Sequence, residues 1–423
     1  MQIHIKTYGC TLNRADSDIV ESAALAAGMR LTDEQDADVI VVNTCTVKAV
    51  TERKILERLA RYEAAGRRVV VTGCMASANS DLIERYAPGA SIITTPNAHM
   101  IPGLAAGVAG GGRFVIDRYS RRDAALGAGM RSGVIARIPI SDGCLSACSF
   151  CETKRARGPL NSFPEGSILR AVSNAVANGA REIELASQDT GAYGLDRGTD
   201  IARLMERISG IDGEFMVRIG MLNPEHMHRY IDRFISAMAD RRFYKFVHLP
   251  VQSGSDRVLG AMRRNYTISS VMGMFGRLRA EVEGITLETD VIVGYPGETR
   301  SELEETFAFL ESARPDITNI SKFAPRPHAP ASALPQFPND EVKSRSSEAS
   351  RRVRAIQHSI NEGFIGKSVD VLITEKGAHS ANGKTRSYRQ VVISEGHESV
   401  ALGTWQRAII EKVSADAVYG VLA

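Results

Sequence analysis

The sequence predicts an α/β protein in three parts: an N-terminal parallel α/β domain, a central partial (β/α)6 barrel and a small C-terminal all-β barrel. Short apolar, β-branched runs alternate with helical patterns through residues 1–362. Such alternation is typical of parallel sheets with right-handed crossovers. The remaining segment instead holds short β-rich pieces separated by turns that contain Gly and Ser, which indicates a small barrel.

The N-terminal domain is predicted over residues 1–112. Strand-like runs occupy 3–8, 39–44 and 69–73, with helical patterns between them. The stretch 103–112 is rich in Gly and Ala, a composition typical of a flexible linker. An open parallel sheet is therefore expected here, and such sheets bind ligands at the carboxyl ends of their strands.

The central domain is predicted over residues 130–364, where six strand-like runs alternate with helical patterns. The runs are 135–140, 183–186, 215–221, 243–249, 285–293 and 317–323. This repeat indicates an open version of the parallel barrel whose chemistry lies at the carboxyl ends of its strands. The C-terminal domain, 365–423, has five short strand-like pieces, an architecture found in many oligonucleotide-binding modules. Its basic and acidic residues nearly balance, so charge alone does not predict RNA binding.

Cys144, Cys148 and Cys151 follow the first strand of the predicted barrel in a C-x3-C-x2-C run. Three thiolates on one short loop can hold three irons of a 4Fe–4S cubane and leave the fourth iron open for a small molecule. S-adenosylmethionine (SAM) is the molecule expected there. Fully ligated ferredoxin patterns supply four cysteines, and structural zinc sites are normally closed by four ligands. A zinc loop completed by a distant histidine is the alternative.

The other three of the six cysteines, Cys10, Cys45 and Cys74, each end a strand-like run. Because the carboxyl ends of parallel strands share one edge of a sheet, these thiols are expected to converge. Free Cys often does nothing but pack in a core, and that is the alternative. Three cysteines at equivalent strand ends favour a second metal cluster.

Composition restricts the class of protein. The chain has 423 residues, 43% of them hydrophobic, and a formal net charge of +3, which predicts two or three domains with substantial cores and excludes a polycation. No apolar stretch approaches the roughly 20 residues that span a bilayer, and the N-terminus lacks the apolar core of a signal peptide. We therefore expect a cytoplasmic protein without membrane association, with free thiols rather than disulfides.

A series of motifs extends over essentially the whole chain. They are YGC (8–10), NTCTVK (43–48), TGC (72–74), the cysteine triplet with ARG (156–158), HLPVQSGS (248–255), DVIVGYPGE (290–298) and KFAPRP (322–327). In these motifs the chain resembles the radical SAM methylthiotransferases that modify tRNA. The TVK and TKRARG (153–158) contexts resemble the archaeal and eukaryotic branch, which acts on threonylcarbamoyladenosine. Glu152 and Arg155 depart from the family pattern, where a basic or apolar residue and a histidine are usual.

The resemblance implies two 4Fe–4S clusters and SAM as cofactors. The cysteine triplet would hold the cluster that binds SAM, and a radical from SAM would take hydrogen from carbon 2 of the adenine. The cluster on the other three cysteines would supply the sulfur, which a further SAM methylates. The C-terminal barrel resembles the family's TRAM domain, an RNA-binding module. The expected partners are tRNA, an electron donor such as flavodoxin or ferredoxin, and a sulfur source, with the chain acting as a monomer.

The resemblance also assigns side chains near the strand ends to SAM. They are Glu182, Gln188, Asp189, Gln252, Ser253, Asp290, Gly294 and Tyr295. Glu182 resembles the acidic residue that meets the SAM amino group, although it is also compatible with an ordinary solvated strand position. Arg157 is the candidate contact to substrate or phosphate, because a guanidinium offers a rigid multidentate fork.

Three alternatives remain open from the sequence. Two lie within the enzyme class: methylthiolation of isopentenyladenosine in tRNA, and of an aspartate in a ribosomal protein. The third is a metal-binding RNA-interaction protein without catalysis, which would use the cysteines structurally. Iron and acid-labile sulfide per chain distinguish the third from the enzymes, because two 4Fe–4S clusters require about eight of each.

Overall fold

A computed structural model describes residues 1–47, 49–117 and 133–423 of the chain. Lys48 of the NTCTVK motif and residues 130–132, where the central domain was predicted to begin, lie outside the described residues. Three units follow one another along the chain. None of the helices within the described ranges combines the length and the apolar composition needed to cross a membrane.

The N-terminal unit is a parallel six-stranded sheet of order β2-β1-β3-β4-β5-β6. Its strands are Gln2–Thr7 (β1), Arg30–Leu31 (β2), Val39–Thr44 (β3), Val69–Gly73 (β4), Ser91–Ile93 (β5) and Val115–Ile116 (β6). Its helices are Thr11–Ala26 (α1), Ala49–Ala64 (α2), Cys74–Ala78 (α3), Ser80–Tyr86 (α4) and Ile101–Ala109 (α5). The central strands β3 and β4 are buried along their whole length, as expected for a parallel sheet covered on both faces.

The Gly- and Ala-rich stretch differs from its prediction as a flexible linker. Most of it forms α5, whose residues Ile101, Ala105 and Val108 are buried against the sheet. Burial of these apolar side chains outweighs the cost of glycine within a helix, which is about 1 kcal/mol for each residue. Only the last residues, 110–112, turn away from the helix.

The central unit has eight strands. Six of them are parallel and form two three-stranded sheets, β7-β10-β11 and β12-β13-β14, joined by a bridge between Val217 and Phe243. Its strands are Ile135–Pro139 (β7), Ser141–Asp142 (β8), Asn161–Ser162 (β9), Glu182–Ala186 (β10), Met216–Ile219 (β11), Phe246–His248 (β12), Thr286–Val293 (β13) and Ile317–Lys322 (β14). Its helices are Thr153–Arg157 (α6), Glu165–Ala177 (α7), Ile201–Ile208 (α8), Pro224–Met227 (α9), Ile231–Met238 (α10), Asp256–Ala261 (α11), Ile268–Glu281 (α12), Arg300–Ala313 (α13) and Asn339–Glu362 (α14). Strands β8 and β9 form a separate two-stranded ribbon. The predicted partial (β/α)6 barrel is confirmed.

The C-terminal unit is a closed five-stranded barrel of order β15-β16-β17-β19-β18, which confirms the predicted all-β architecture. Its strands are Ser368–Lys376 (β15), Ala381–Thr385 (β16), Gln390–Ile393 (β17), Trp405–Val413 (β18) and Val418–Leu422 (β19). This barrel packs against the central unit through Leu372, which shares a buried cluster with Met216, Tyr244 and Phe246. Its contacts therefore lie near the amino ends of the central strands.

The N-terminal unit covers the opposite end of the central barrel. Leu12 and Ala15 of α1 pack against Ala186, the last residue of β10. Cys74 and Ala78 of α3 pack against Ala156 of α6. The carboxyl edge of the N-terminal sheet and the carboxyl edge of the central barrel consequently face each other.

Candidate functional site

The structure brings Cys10, Cys45 and Cys74 together at the carboxyl ends of the neighbouring strands β1, β3 and β4. The Oδ1 atom of Asn13 lies 3.5 Å from the Cys10 sulfur and 3.8 Å from the Cys74 sulfur. A side chain at Gly9 would place its Cβ 3.1 Å from the Cys45 sulfur. We call these three cysteines the N-terminal thiol site.

Burial raises the pKa of two thiols of the N-terminal thiol site, Cys45 and Cys74. Burial raises the pKa of Cys45 to about 11, and the neighbouring thiol of Cys74 adds to the effect. Burial also raises the pKa of Cys74, while the guanidinium of Arg157 opposes that rise. Metal binding to thiols releases their protons, so a bound cation is what would make these groups anionic near neutral pH.

The triplet Cys144, Cys148 and Cys151 lies on a loop after β8, and we call it the loop thiol site. Cys144 and Cys148 are half-buried and Cys151 is exposed. The loop begins at Gly143, which has φ +74°, and a Cβ there would lie 2.0 Å from the carbonyl oxygen of Pro159. Only glycine fits this position, because the φ is left-handed and the space is taken by backbone.

Residues from other parts of the central unit form hydrogen bonds with the loop thiol site. The Ser149 hydroxyl lies 2.8 Å from the hydroxyl of Tyr295, and the Ser149 N–H donates to the carbonyl of Met262 at 3.0 Å. The amide of Asn223 donates to the Ser146 hydroxyl at 3.0 Å. Sequence reasoning missed Asn223, because an Asn-Pro pair before a helix is ordinarily only a cap.

Asp189, one of the predicted SAM contacts, lies beside the loop thiol site. Its Oδ1 accepts the backbone N–H groups of Gly191 at 2.9 Å and Asn223 at 3.0 Å. Burial raises the pKa of Cys144 to about 12, and the Asp189 carboxylate is the next largest cause. The structure therefore brings this predicted residue to the cysteines, where its charge acts on a thiol.

Arg264 donates to the loop thiol site and was not predicted. Its Nη1 lies 3.5 Å from the Cys148 sulfur, its Nη2 donates to the Pro250 carbonyl at 2.7 Å, and its Nε donates to the Tyr266 hydroxyl at 2.7 Å. The side chain is buried. No ligand-binding pattern surrounds this residue in the sequence, so only the fold could reveal it.

Arg157, the predicted contact to substrate or phosphate, lies buried between the N-terminal and central units. The residue is 2% exposed, and its Nη2 pairs with Asp16 at 2.7 Å and with Asn13 Oδ1 at 3.1 Å. Its Nη1 lies 3.4 Å from Asp142, and its Nε lies 3.5 Å from the Cys74 sulfur. The guanidinium is enclosed between the two units because α6 packs on α3, and its contact to substrate stays a prediction.

Glu182, the predicted contact to the SAM amino group, lies far from both thiol sites. Glu182 begins β10, so a strand of about 13 Å separates it from the carboxyl edge of the barrel. Its side chain is fully buried and binds Lys384 of the C-terminal barrel at 2.5 Å and the Tyr244 hydroxyl at 3.0 Å. The structure thus places Glu182 at the end of β10 that faces the C-terminal barrel.

The remaining predicted SAM contacts differ in the hydrogen bonds that their side chains make within the protein. Ser253 is fully buried, and its Oγ accepts the N–H of Ser255 at 3.2 Å. Asp290 lies within β13, and its Oδ2 is 3.0 Å from His248 Nε2. The structure therefore engages Ser253 and Asp290 in contacts within the protein.

Gln188, Gln252 and Gly294 present their polar groups differently. The Oε1 of Gln188 is buried without a hydrogen-bond partner among the described residues. Gln252 has φ +78°, a conformation that costs a residue other than glycine about 1–3 kcal/mol. Gly294 also has a positive φ, and its N–H donates to Glu298 at 2.8 Å. Gln188 thus has an acceptor without a partner among the described residues, and Gln252 has a strained backbone.

Comparison with known proteins agrees with this geometry. Residues 2–95 match the family described as Uncharacterized protein family UPF0004, and residues 138–310 match the Radical SAM superfamily. A probable threonylcarbamoyladenosine tRNA methylthiotransferase of Archaeoglobus fulgidus is 37% identical over 100% of this chain and 99% of its own length. The chain belongs to the threonylcarbamoyladenosine tRNA methylthiotransferase family. The predicted family and branch are confirmed.

More distant members and structures extend the comparison. The threonylcarbamoyladenosine tRNA methylthiotransferase of Mus musculus is 32% identical over 93% of this chain and 69% of its own length. The radical SAM methyltransferase TsrM of Kitasatospora setae, solved with cobalamin and a 4Fe–4S cluster, has a TM-score of 0.56 at 15% identity, covering 78% of this chain and 76% of its own. The cobalamin-dependent radical enzyme OxsB has a TM-score of 0.52 at 12% identity, covering 83% of this chain and 56% of its own. These two structures share the fold.

Membership in the radical SAM superfamily implies SAM and a 4Fe–4S cluster as cofactors of this methylthiotransferase. The donor sets fit iron–sulfur clusters better than single zinc ions. Tetrahedral zinc with sulfur at 2.3 Å brings its thiolates to within about 3.8 Å of one another. In neither thiol site of the described chain do all three sulfur atoms lie within 4.8 Å of one another.

The two departures from the family pattern lie where the units meet. The Glu152 carboxylate accepts the Asn79 amide at 3.5 Å and the His328 N–H at 3.1 Å. Arg155 donates from Nε to the carbonyl of Ala78 at 3.0 Å. Both residues therefore contact the N-terminal unit at the end of α3.

Proposed function

We propose that this chain inserts a methylthio group at carbon 2 of threonylcarbamoyladenosine in tRNA, next to the anticodon. The observation that carries the proposal is the presence of two separate three-cysteine sites on facing edges of one fold. One site serves the radical step and the other serves the sulfur. The named relatives, which match over nearly the whole chain, support the nucleoside and the tRNA.

In this proposal Cys144, Cys148 and Cys151 hold a 4Fe–4S cluster with SAM at its open iron. When bound, this group supplies radical chemistry that no amino-acid side chain can perform. The chain contributes position and charge. Asn223 and Ser149 fix the loop, and Arg264 places a buried positive charge against the Cys148 sulfur. Gln188 follows the end of β10, and its Oε1, unpaired among the described residues, can accept from a donor group of SAM.

The N-terminal thiol site would hold the second cluster, which supplies sulfur. Its three thiols come from three strands, so a fourth ligand position stays open to the sulfur donor. Asn13 orients the site, because its Oδ1 lies within reach of two of the thiols and its Nδ2 donates to the Thr44 carbonyl at 2.7 Å. Burial of Cys45 and Cys74 excludes water from the side of the sheet.

The C-terminal barrel is proposed to bind tRNA. Arg386 is exposed, and its guanidinium lies 4.5 Å from the ring centroid of Trp405. An arginine stacked on an aromatic ring is a common platform for a nucleobase. An electron donor such as flavodoxin or ferredoxin and a sulfur source complete the set of proposed partners.

Nucleoside mass spectrometry tests the proposed reaction. Transfer RNA from a host that lacks this modification is compared with and without the chain, and with Cys148→Ala as the matched inactive control. We expect a peak at threonylcarbamoyladenosine plus a methylthio group with the unaltered chain alone. A methylthio peak on isopentenyladenosine would show that isopentenyladenosine is the substrate instead. If a chain loaded with iron and sulfide produced no new nucleoside in the tRNA, the tRNA assignment would be contradicted.

A further inference from the structure

Arg157 belongs to the unit that carries the loop thiol site, yet its guanidinium reaches the N-terminal thiol site. The residue lies at the end of α6, shortly after Cys151. Its two Nη atoms face carboxylates of Asp16 and Asp142, one from each unit. Its Nε faces neither carboxylate and lies 3.5 Å from the Cys74 sulfur. The side chain thus presents one remaining donor to a thiol.

A hydrogen bond from Nε to a cluster sulfur has a different effect from an ion pair that only links the two units. Reduction of an iron–sulfur cluster adds negative charge to its sulfur atoms, and hydrogen bonds to those sulfurs favour the reduced form. A guanidinium remains charged at any pH that the protein tolerates, and at 2% exposure it is poorly screened by water. A clamp between Asp16 and Asp142 would need only the two Nη groups.

We propose that Arg157 is a positioning residue of the second cluster: its Nε–H donates to the Cys74 sulfur and stabilises the reduced form of that cluster. This inference rests on the proposed function, which places a cluster on Cys10, Cys45 and Cys74. The central unit thereby sets the redox behaviour of a cluster whose ligands all come from the N-terminal unit.

Arg155 provides a matched control on the same short helix. It also contacts α3, donating from its Nε to the carbonyl of Ala78 at 3.0 Å. It is exposed, and none of its hydrogen bonds in the described structure reaches a thiol. Arg155→Lys therefore disturbs the same interface without touching the cluster ligands.

The first measurement establishes that the second cluster exists. The full chain with Cys144, Cys148 and Cys151 all changed to alanine is reconstituted anaerobically, and iron and sulfide are counted. About four of each per chain are expected from one remaining cluster. A chain without iron would overturn the proposed second cluster and this inference together, whereas every later result concerns the inference alone.

The second measurement is a redox titration of that remaining cluster, followed by electron paramagnetic resonance with dithionite as reductant. Arg157→Lys keeps the charge but loses the Nε donor. We expect its ratio of reduced to oxidised cluster at a fixed potential to fall at least tenfold, which is about 59 mV for a one-electron couple. Arg155→Lys is expected to leave the ratio unchanged. Equal ratios in the two variants would overturn the proposal.

The third measurement needs no substitution at Arg157 and decides the question if the lysine variant fails to fold. The triple-alanine chain is labelled with arginine carrying ¹⁵N in its guanidinium group, and the reduced cluster is examined for hyperfine coupling to that nitrogen. We expect a coupled nitrogen that persists in Arg155→Lys. Its absence from the parent chain would overturn the proposed hydrogen bond.

Discussion

The two thiol sites use the same three ligands but are built in different ways. The N-terminal thiol site depends on a sheet: its cysteines lie far apart in sequence, and Cys45 and Cys74 are buried where neighbouring strands end. The loop thiol site depends on one short loop that starts at Gly143 and remains partly exposed. The first is preorganised by the fold of its unit, and the second by side chains that hold a loop in place.

Each site has one buried arginine with a nitrogen 3.5 Å from a sulfur: Arg157 at Cys74 and Arg264 at Cys148. Arg264 belongs to the same unit as its thiol and otherwise binds a carbonyl and a hydroxyl. Arg157 comes from the other unit and otherwise binds carboxylates. The loop thiol site is therefore complete within the central unit, whereas the N-terminal thiol site needs both units.

Removing one cysteine from each site should have the largest effect on activity and should distinguish the two sites. We expect Cys148→Ala to abolish SAM cleavage, because the cluster that binds SAM loses a ligand. Cys45→Ala is expected to retain SAM cleavage while forming no methylthio product. Release of 5′-deoxyadenosine and the modified nucleoside are both measured. Equal loss of SAM cleavage in two folded variants would contradict the division of labour between the sites.

A glycine before the first cysteine of each site sharpens the contrast between loop and sheet. Gly143→Ala would force a Cβ to 2.0 Å from a backbone oxygen, whereas at Gly9 the close atoms, at 3.0–3.1 Å, belong to side chains of Cys45 and Asn13. We expect Gly143→Ala to lower iron from about eight to about four per chain. Gly9→Ala is expected to retain more iron, despite its φ of +110°. The iron content of each reconstituted variant tests this prediction. A lower iron content in Gly9→Ala than in Gly143→Ala would contradict it.

The buried arginines should also differ in what they contribute to stability. Arg157→Ala removes the buried guanidinium that pairs with Asp16 and Asp142, and removing one partner of a buried ion pair costs about 3–5 kcal/mol. Arg264→Ala removes hydrogen bonds to uncharged partners and should cost about 1–3 kcal/mol. Urea denaturation of the metal-free variants, followed by circular dichroism, compares the two. A smaller loss for Arg157→Ala would show that its carboxylate pairs contribute little.

Sequence patterns predicted the positions of the cysteines, which depend on local structure. They did not predict contacts between residues that only the folded chain brings together. The strand-end cysteines and the triplet could be located from the sequence, because β-branched runs mark strands and parallel strands share an edge. The role of Arg157 could not, since it depends on α6 meeting α3 of another unit. Asn223 and Arg264 belong to the same unit as their partners, and they were missed because Ser146 and Cys148 are remote from them in sequence.

Glu182 illustrates a second limit of such patterns. The family pattern assigned it to SAM, but a residue at the amino end of β10 lies on the side of the C-terminal barrel rather than of the cysteines. An acidic residue alone does not indicate which end of a barrel it serves. Its partner Lys384 belongs to a different unit, and no pattern near either residue links the two.

The pair of Glu182 and Lys384 tests whether both thiol sites are independent of the C-terminal barrel. Burial raises the pKa of Glu182 in the folded protein, and Lys384 opposes that rise. Lys384→Met removes the opposition, so the folded-state pKa rises further above the unfolded value of about 4.3. A carboxyl whose folded pKa is raised loses stability as the pH rises through that window.

We therefore expect the deficit of Lys384→Met to be small near pH 4 and to grow to about 1–3 kcal/mol at neutral pH, where a buried carboxylate keeps only the Tyr244 hydroxyl as a partner. Lys376→Met is the matched control, because the Lys376 amine binds only carbonyl groups in the described structure, and its effect should not depend on pH. Iron content should match the parent chain in both variants. Loss of iron in Lys384→Met would mean that the C-terminal barrel supports the thiol sites through the length of β10.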